Sequence, residues 1–337
     1  MLHPVKYGKA GSPAAKFDGA SPLAILESED ILLALKKHWI ANHENLTQPE
    51  KFVEDFFEWL KTSDVQKGHA MSVAEIKKHY KKKLKEYSDS GLALEKPGDM
   101  FLEIMEGELA GAETILDFGC GKLTFLKNIA ESNQNIKKLI GMDSKSQPDL
   151  ADLDLRIEFV RSLGGVADAS VDLAVIKLVL HHLENEQQAK DIFAEIQRVL
   201  RPNGKLIVFE ESFPECHSRE NGNLVNQTKI CDWIPNQVGN DIAEIKSYLA
   251  KFNLEMSEVT EDFLRLSKED KIKFLFLNDW LMNLQNAYMP WTLQYRSMEE
   301  WKILVESVGF REKESHFLGA IKHRKRKQGM TAMLNFY

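Results

Sequence analysis

One stretch constrains this chain more than any other. The run ETILDFGCG, residues 113–121, is short and apolar and ends in two glycines one residue apart. That is the pattern of a buried strand entering a tight loop, where glycine lets the backbone approach a ligand that a side chain would block. The alternation then continues. LTFLKNIAES predicts a helix, KKLIGMD a second strand ending in an acid, and RIEFVRS a third strand. VDLAVIKLVL predicts a fourth strand, NEQQAKDIFAEIQRVL a helix, RPNG a turn and KLIVFEES a fifth strand. Strands alternating with helices imply a parallel sheet covered on both faces, a doubly wound α/β fold. Ligands of such sheets bind beyond the carboxyl ends of the strands. Asp117, Gly119 and Gly121 lie at such an end. Asp143, which ends the second strand, suits a ribose, whose two hydroxyls a carboxylate can accept.

The flanking regions read differently. Residues 1–20 are rich in Gly, Ala, Pro and Lys and read as an extended arm. From 21 to 111 apolar residues recur at helical spacing, and Thr47 with Glu50 and Ser72 with Glu75 form candidate capping boxes. After Phe213 the alternation stops, and residues 213–260 read as an irregular insertion. KEDKIKFLFLNDWLMNLQNAY predicts an apolar helix, and Ser297 with Glu300 caps another, SMEEWKILVESVGF. FREKESHFLGAI and MTAMLNFY read as two strands joined by the basic loop KHRKRKQG.

Composition narrows the function classes. The chain of 337 residues carries 44 basic and 51 acidic side chains, a net charge of −7. No global field favours nucleic acid or an anionic membrane. No apolar run is long enough for a membrane span, and the start lacks the core of a secretory signal. Cys120, Cys216 and Cys231 are too few for a disulfide framework, so free thiols in a cytoplasmic protein are expected.

The glycine pair alone is a weak signal, since a nucleotide dehydrogenase shares it. The dinucleotide fingerprint, however, needs a third glycine where this chain has Thr124. Asp117 beside the loop would repel a pyrophosphate and attract an ammonium. Taken together, LDFGCGKLTFL, GMDSK, VDLAVIKLVLHHL and IFAEIQRVLRPNGKLIVFEE resemble the class I S-adenosylmethionine (SAM)-dependent methyltransferases, with a methyltransferase type 11/12-like domain. The resemblance covers roughly residues 100–212, and the terminal helix and strand pair extend it to 337. It implies a Rossmann-like sheet of seven strands, mostly parallel with an antiparallel terminal strand. It also implies a helical lid over 1–111, a SAM-binding core over 112–212, an inserted substrate cap over 213–296, and completion of the core by 297–337. The cofactor implied is SAM. By position, Asp117, Gly119, Cys120 and Gly121 would lie under its methionine part. Asp143 would hold the ribose, with Ser144 beside the adenine, Ser162 and Leu163 at the adenine edge, and Lys177 near the sulfonium. The sequence departs from the family at Leu123, where members have a third glycine, and at Arg161-Ser162-Leu163, where many carry an acid.

Residues outside the cofactor motif are less specific. His181 and His182 follow the fourth strand and are the candidate catalytic groups, since histidine titrates near neutral pH. Their bland alternative is a pair that fixes a loop. No Cys or carboxylate shows metal-ligand spacing, so no metal is expected. Tyr288, Trp291 and Tyr295, with Trp280, would wall a substrate pocket or pack a lid helix, and Tyr7 on the arm would touch the cofactor. Arg296 is a candidate partner for a substrate carboxylate or a solvated residue. The run Lys77 to Lys85 reads as the solvated face of an amphipathic helix, with nucleic acid as the minor reading. The expected function is methyl transfer to a small molecule by a monomer or homodimer. The alternatives are a SAM-consuming cyclase that forms a ring amino acid, and a SAM-binding protein without catalysis.

Overall fold

The structure is a computed structural model. It describes residues 22–67, 73–88, 100–146, 148–151, 153–215, 219–220, 223–224, 235–282, 294–323, 326–327 and 330–337. In chain order, helices α1 (Glu29–Asn42), α2 (Pro49–Lys67), α3 (Val73–Tyr87) and α4 (Met100–Leu109) come first. The alternating core follows: β1 (Thr114–Phe118), α5 (Thr124–Ser132), β2 (Lys138–Met142), β3 (Ile157–Val160), β4 (Val171–Lys177), α6 (Glu186–Val199) and β5 (Leu200–Phe213). Next are β6 (Arg219–Glu220), β7 (Asn223–Leu224), α7 (Pro235–Ala250), β8 (Glu255–Met256), α8 (Val259–Leu264) and α9 (Lys268–Met282). The described chain closes with β9 (Arg296–Ser297), α10 (Met298–Glu306), β10 (Glu312–Gly319), β11 (Ile321–His323), β12 (Arg326–Lys327) and β13 (Thr331–Phe336).

The chain divides into two units. A helical unit takes Met1–Pro97, Glu215–Tyr295 and Gly319–Met330, and a sheet unit takes Gly98–Pro214, Arg296–Leu318 and Thr331–Tyr337. The sheet runs β10-β13-β5-β4-β1-β2-β3, with the two-residue β9 added beside β5. β1 pairs in parallel with β2 and β4, β2 with β3, and β4 with β5, whereas β13 is antiparallel to β5. This is the doubly wound, mostly parallel sheet that the alternation predicts. β1 and β4 are neighbours although β2 and β3 come between them in sequence, so the strand order reverses there. Such a switch point opens a crevice at the carboxyl ends of the two strands. The helices around it begin where the sequence signals them. Asn185 accepts from the Gln188 N–H at 2.9 Å at the start of α6, and Ser297 and Glu300 form a complete capping box on α10.

In the helical unit α1, α2 and α3 share an aromatic core. The Trp39 ring stacks on Phe56 at 5.5 Å between centroids and meets Phe57 edge-on at 5.4 Å. Such pairs add to the burial of large rings.

Several expectations need correction. The insertion is not irregular throughout, because α7 and α8 lie within or across residues 213–260 and bury Val238, Ile245, Tyr248 and Leu249. Thr47 caps no helix. Its hydroxyl donates to the Tyr87 carbonyl at 3.0 Å. The tetrapeptide RPNG lies within β5, where Asn203 at φ 68 and a register shift between Val171 and Leu173 make it a kink instead of a strand boundary. Part of the basic loop is also strand: β11 pairs with β12 and with β8. Ser72 and the arm before residue 22 lie outside the described residues. Among the described residues no helix is long and apolar enough to cross a membrane.

Candidate functional site

β1 delivers Asp117, buried, to the edge of the crevice, and the chain then turns through three left-handed residues. Gly119 has φ 77, Gly121 φ 53 and Leu123 φ 63. The position where the resemblance lacks a glycine thus keeps the backbone that glycine favours, at about 1–2 kcal/mol for a residue with a Cβ. Leu123 is fully buried, which offsets that strain. The two glycines serve different ends. A Cβ on Gly119 would fall 2.3 Å from Val179 Cγ2, whereas one on Gly121 would meet nothing within 4 Å. Gly119 therefore makes room for the loop after β4, and Gly121 fronts open space.

Asp143 organises this loop. Its Oδ2 accepts from the Gly121 N–H at 3.1 Å, and Oδ1 accepts from Lys145 and Ser146 N–H at 2.8 and 2.7 Å. The Ser146 hydroxyl returns a bond to the Gly121 carbonyl at 2.7 Å. An oxygen of a carboxylate accepts about two such bonds, so Oδ2 keeps one vacant lone pair. At the other departure from the family, Arg161 Nη1 donates to the Asp143 carbonyl at 3.3 Å and to the Ser146 carbonyl. It therefore ties the loops after β2 and β3 together. Ser144 and Ser162 are exposed, and Leu163 is buried with its carbonyl accepting from Arg198 Nη2 at 2.9 Å.

Burial pushes the Cys120 thiol well up, and the charges of Asp117 and Asp143 push it further the same way. It stays protonated near neutral pH and is no nucleophile. Lys177 Nζ lies 4.1 Å from the Phe125 ring centre and 5.4 Å from that of Phe101, a cation held over two rings.

The loop after β4 holds the strongest polar arrangement. Leu178 is left-handed at φ 55. Glu210 on β5, fully buried, accepts from the N–H groups of Val179 at 3.2 Å, Leu180 at 2.7 Å and Glu211 at 2.8 Å. Its fourth contact is a short hydrogen bond with His181 Nδ1. With three backbone donors already on the carboxylate, the hydrogen of that bond belongs to Nδ1. Nε2 is then the basic nitrogen of the ring. His181 is buried and His182 half-buried, with ring centres 3.9 Å apart. Glu210 was missed in the sequence, although an acid pair closing the apolar strand KLIVFEES was its signal.

Of the expected pocket wall, Tyr7, Tyr288 and Trp291 lie outside the described residues. Trp280 is fully buried in the helical unit, and the Tyr295 hydroxyl donates to Asp279 at 3.0 Å with both groups buried. Arg296 reaches Glu186 at 3.5 Å and lies 5.4 Å from the Trp301 ring centre.

Residues 116–208 match the family model described as a methyltransferase domain. Its span runs from β1 into β5 and includes the glycine loop, Asp143 and the histidine pair. This segment is thus similar to a methyltransferase domain, and the cofactor that the match implies is SAM. A Streptomyces fradiae protein described as an uncharacterized 37.1 kDa protein in transposon Tn4556 is 32% identical over 107 residues, 29% of this chain. The match spans only 30% of that relative's length. Solved structures with similar folds include the mitomycin 7-O-methyltransferase MmcR, at 14% identity and TM-score 0.41, covering 86% of this chain and 69% of that one. Human N-acetylserotonin methyltransferase in complex with SAM is 12% identical with TM-score 0.40, covering 69% and 50%. A Burkholderia thailandensis 1,6-didemethyltoxoflavin-N1-methyltransferase with bound S-adenosylhomocysteine is 15% identical with TM-score 0.39, covering 69% and 74%.

Proposed function

We propose that this chain transfers a methyl group from SAM to an oxygen or nitrogen atom of a small molecule, with His181 as general base. The observation that supports this best is the buried Glu210–His181 pair at the end of β4. SAM supplies an electrophilic methyl on a sulfonium. The Gly121 backbone and Asp143 Oδ2 hold the cofactor, and Asp117 balances its ammonium. Glu210 fixes the imidazole so that Nε2 accepts the proton of the acceptor hydroxyl or amine as that atom attacks. Alignment does most of the work, and the base adds to it.

The test combines SAM with a panel of phenols, amines and hydroxylated heterocycles. Mass spectrometry follows methylated products and S-adenosylhomocysteine. His181→Gln should lower turnover by roughly 10²–10⁴-fold and leave SAM affinity nearly unchanged. Turnover equal to wild type would remove His181 from the chemistry. A product formed from SAM alone would replace methyl transfer with cyclisation, and a failure to bind SAM would leave neither.

A further inference from the structure

α3 stands apart from the rest of the surface. It carries six lysines against two glutamates in a chain whose net charge is −7. Its inner face is anchored. Ile76 is fully buried, and the Tyr80 hydroxyl lies 3.1 Å from His43 Nε2. The Tyr80 ring also meets Phe56 at 5.5 Å. The helix cannot roll, and its apolar side is engaged in the protein core, so it is not free to enter a membrane.

Lys78, Lys81 and Lys85 are exposed and spaced i, i+3, i+7, a single stripe about 10 Å long at 1.5 Å per residue. Some lysines elsewhere meet carboxylates, as in Lys137–Glu113 at 2.6 Å, Lys138–Glu158 at 2.7 Å and Lys190–Glu186 at 2.8 Å. The three stripe lysines have no carboxylate partner among the described residues. On the flank of the helix that faces α2, roughly 100° around the axis from Lys78, His79 lies flat on Trp59, with centroids 3.6 Å apart and planes within 1°, and both residues are half-exposed. A row of cations next to stacked rings is the combination that holds single strands: phosphates meet the charges and unpaired bases extend the stack.

We propose that the outer face of α3 docks single-stranded nucleic acid. The occupant is defined by charge complementarity and by the flat aromatic step, which a polyanion without bases would not use.

Fluorescence anisotropy of labelled oligouridylate, oligothymidylate and duplex DNA, at low salt and with the full chain, tests this. Binding of either single strand in preference to the duplex is expected, and the two single-strand arms distinguish RNA from DNA. The logarithm of affinity should fall against the logarithm of salt with a slope of about −2, from about −0.7 for each of three phosphates. The combined variant Lys78→Glu, Lys81→Glu, Lys85→Glu should bind at least about tenfold more weakly. Its affinity for S-adenosylhomocysteine and its circular dichroism should be unchanged, which shows the fold intact. The control Lys137→Glu, Lys138→Glu should bind like wild type. The proposal is overturned if no oligonucleotide binds, if the duplex binds best, if the control loses as much as the stripe variant, or if polyglutamate binds more tightly than either single strand.

Discussion

The sheet unit and the α1–α3 cluster of the helical unit use polar side chains in opposite ways. In the sheet unit carboxylates accept backbone N–H groups and so dictate loop conformation. Asp143 holds the glycine loop, Glu210 holds the loop after β4, and Asp172 Oδ2 takes the N–H groups of Glu113 and Thr114 at 3.0 and 2.8 Å. In the helical cluster buried imidazole rings fill space. His43 lies between Trp39 and Phe52, at 5.2 and 4.9 Å between centroids, and its Nδ1 is 2.7 Å from the Trp39 carbonyl. The contrast teaches where each device belongs. Charge is placed where an irregular backbone must take one shape, and neutral aromatics where area must be covered.

The largest effect is expected at the glycine loop. Gly119→Val puts a branched carbon where only 2.3 Å separates a Cβ from Val179, at a φ of 77. It should reduce S-adenosylhomocysteine affinity by more than about 100-fold, roughly 3 kcal/mol, as read by calorimetry. A folded mutant with normal affinity would end the claim that loop geometry limits this unit. Asp143→Ala comes next, with an expected loss of about 2 kcal/mol in cofactor binding as its charged hydrogen bonds go. An unchanged affinity would reduce Asp143 to a loop clamp.

Acid should act on the helical cluster instead. Burial lowers the His43 pKa, against an opposing effect of the Trp39 carbonyl. Burial also lowers that of His79, aided by Lys83 and Lys82. Folded pKa values below the unfolded value of about 6.5 mean that the unfolded chain binds more protons below that pH. Stability is therefore complete above about 6.5 and falls as pH drops toward the folded values. His43 contributes at most about 1.4 kcal/mol per pH unit. NMR titration giving a His43 pKa above 6.5 would reverse the sign. The smallest effect is in hydrogen exchange. If residues 29–42 act as a lid, S-adenosylhomocysteine should slow their exchange, and equal rates would make the helices an appendage.

The parts legible in sequence were those set by local signals. The run from β1 through Gly121 to Asp143 follows from apolar period and glycine placement, and the Ser297–Glu300 box from a four-residue pattern. α7 was hidden because Pro235, Asn236, Gly239 and Asn240 mask the spacing of Val238, Ile245 and Leu249. The pairing of β11 with β8 depends on residues some 65 positions apart, Ile321 with Met256, which no local pattern records. The left-handed turn at Leu123 could not be read either, since a leucine there signals a helix and only the packed loop reverses it. Glu210 acquires its role from Val179, Leu180 and His181 on another strand's loop, so its meaning too is tertiary.

The threading of the two units bears on how the chain acquires its structure. The backbone passes between them after residues 97, 214, 295, 318 and 330. β13, Thr331–Phe336, is buried along its whole length between β10 and β5. Until that segment arrives, β5 shows an open hydrogen-bonding edge and β10 has no neighbour on that side. The intermediate state is thus an unfinished sheet, prone to pair with whatever strand is near. Nonlocal closures of this kind are slow. The methyltransferase motif, complete by residue 208 as sequence, therefore waits for more than a hundred further residues before its own sheet is closed.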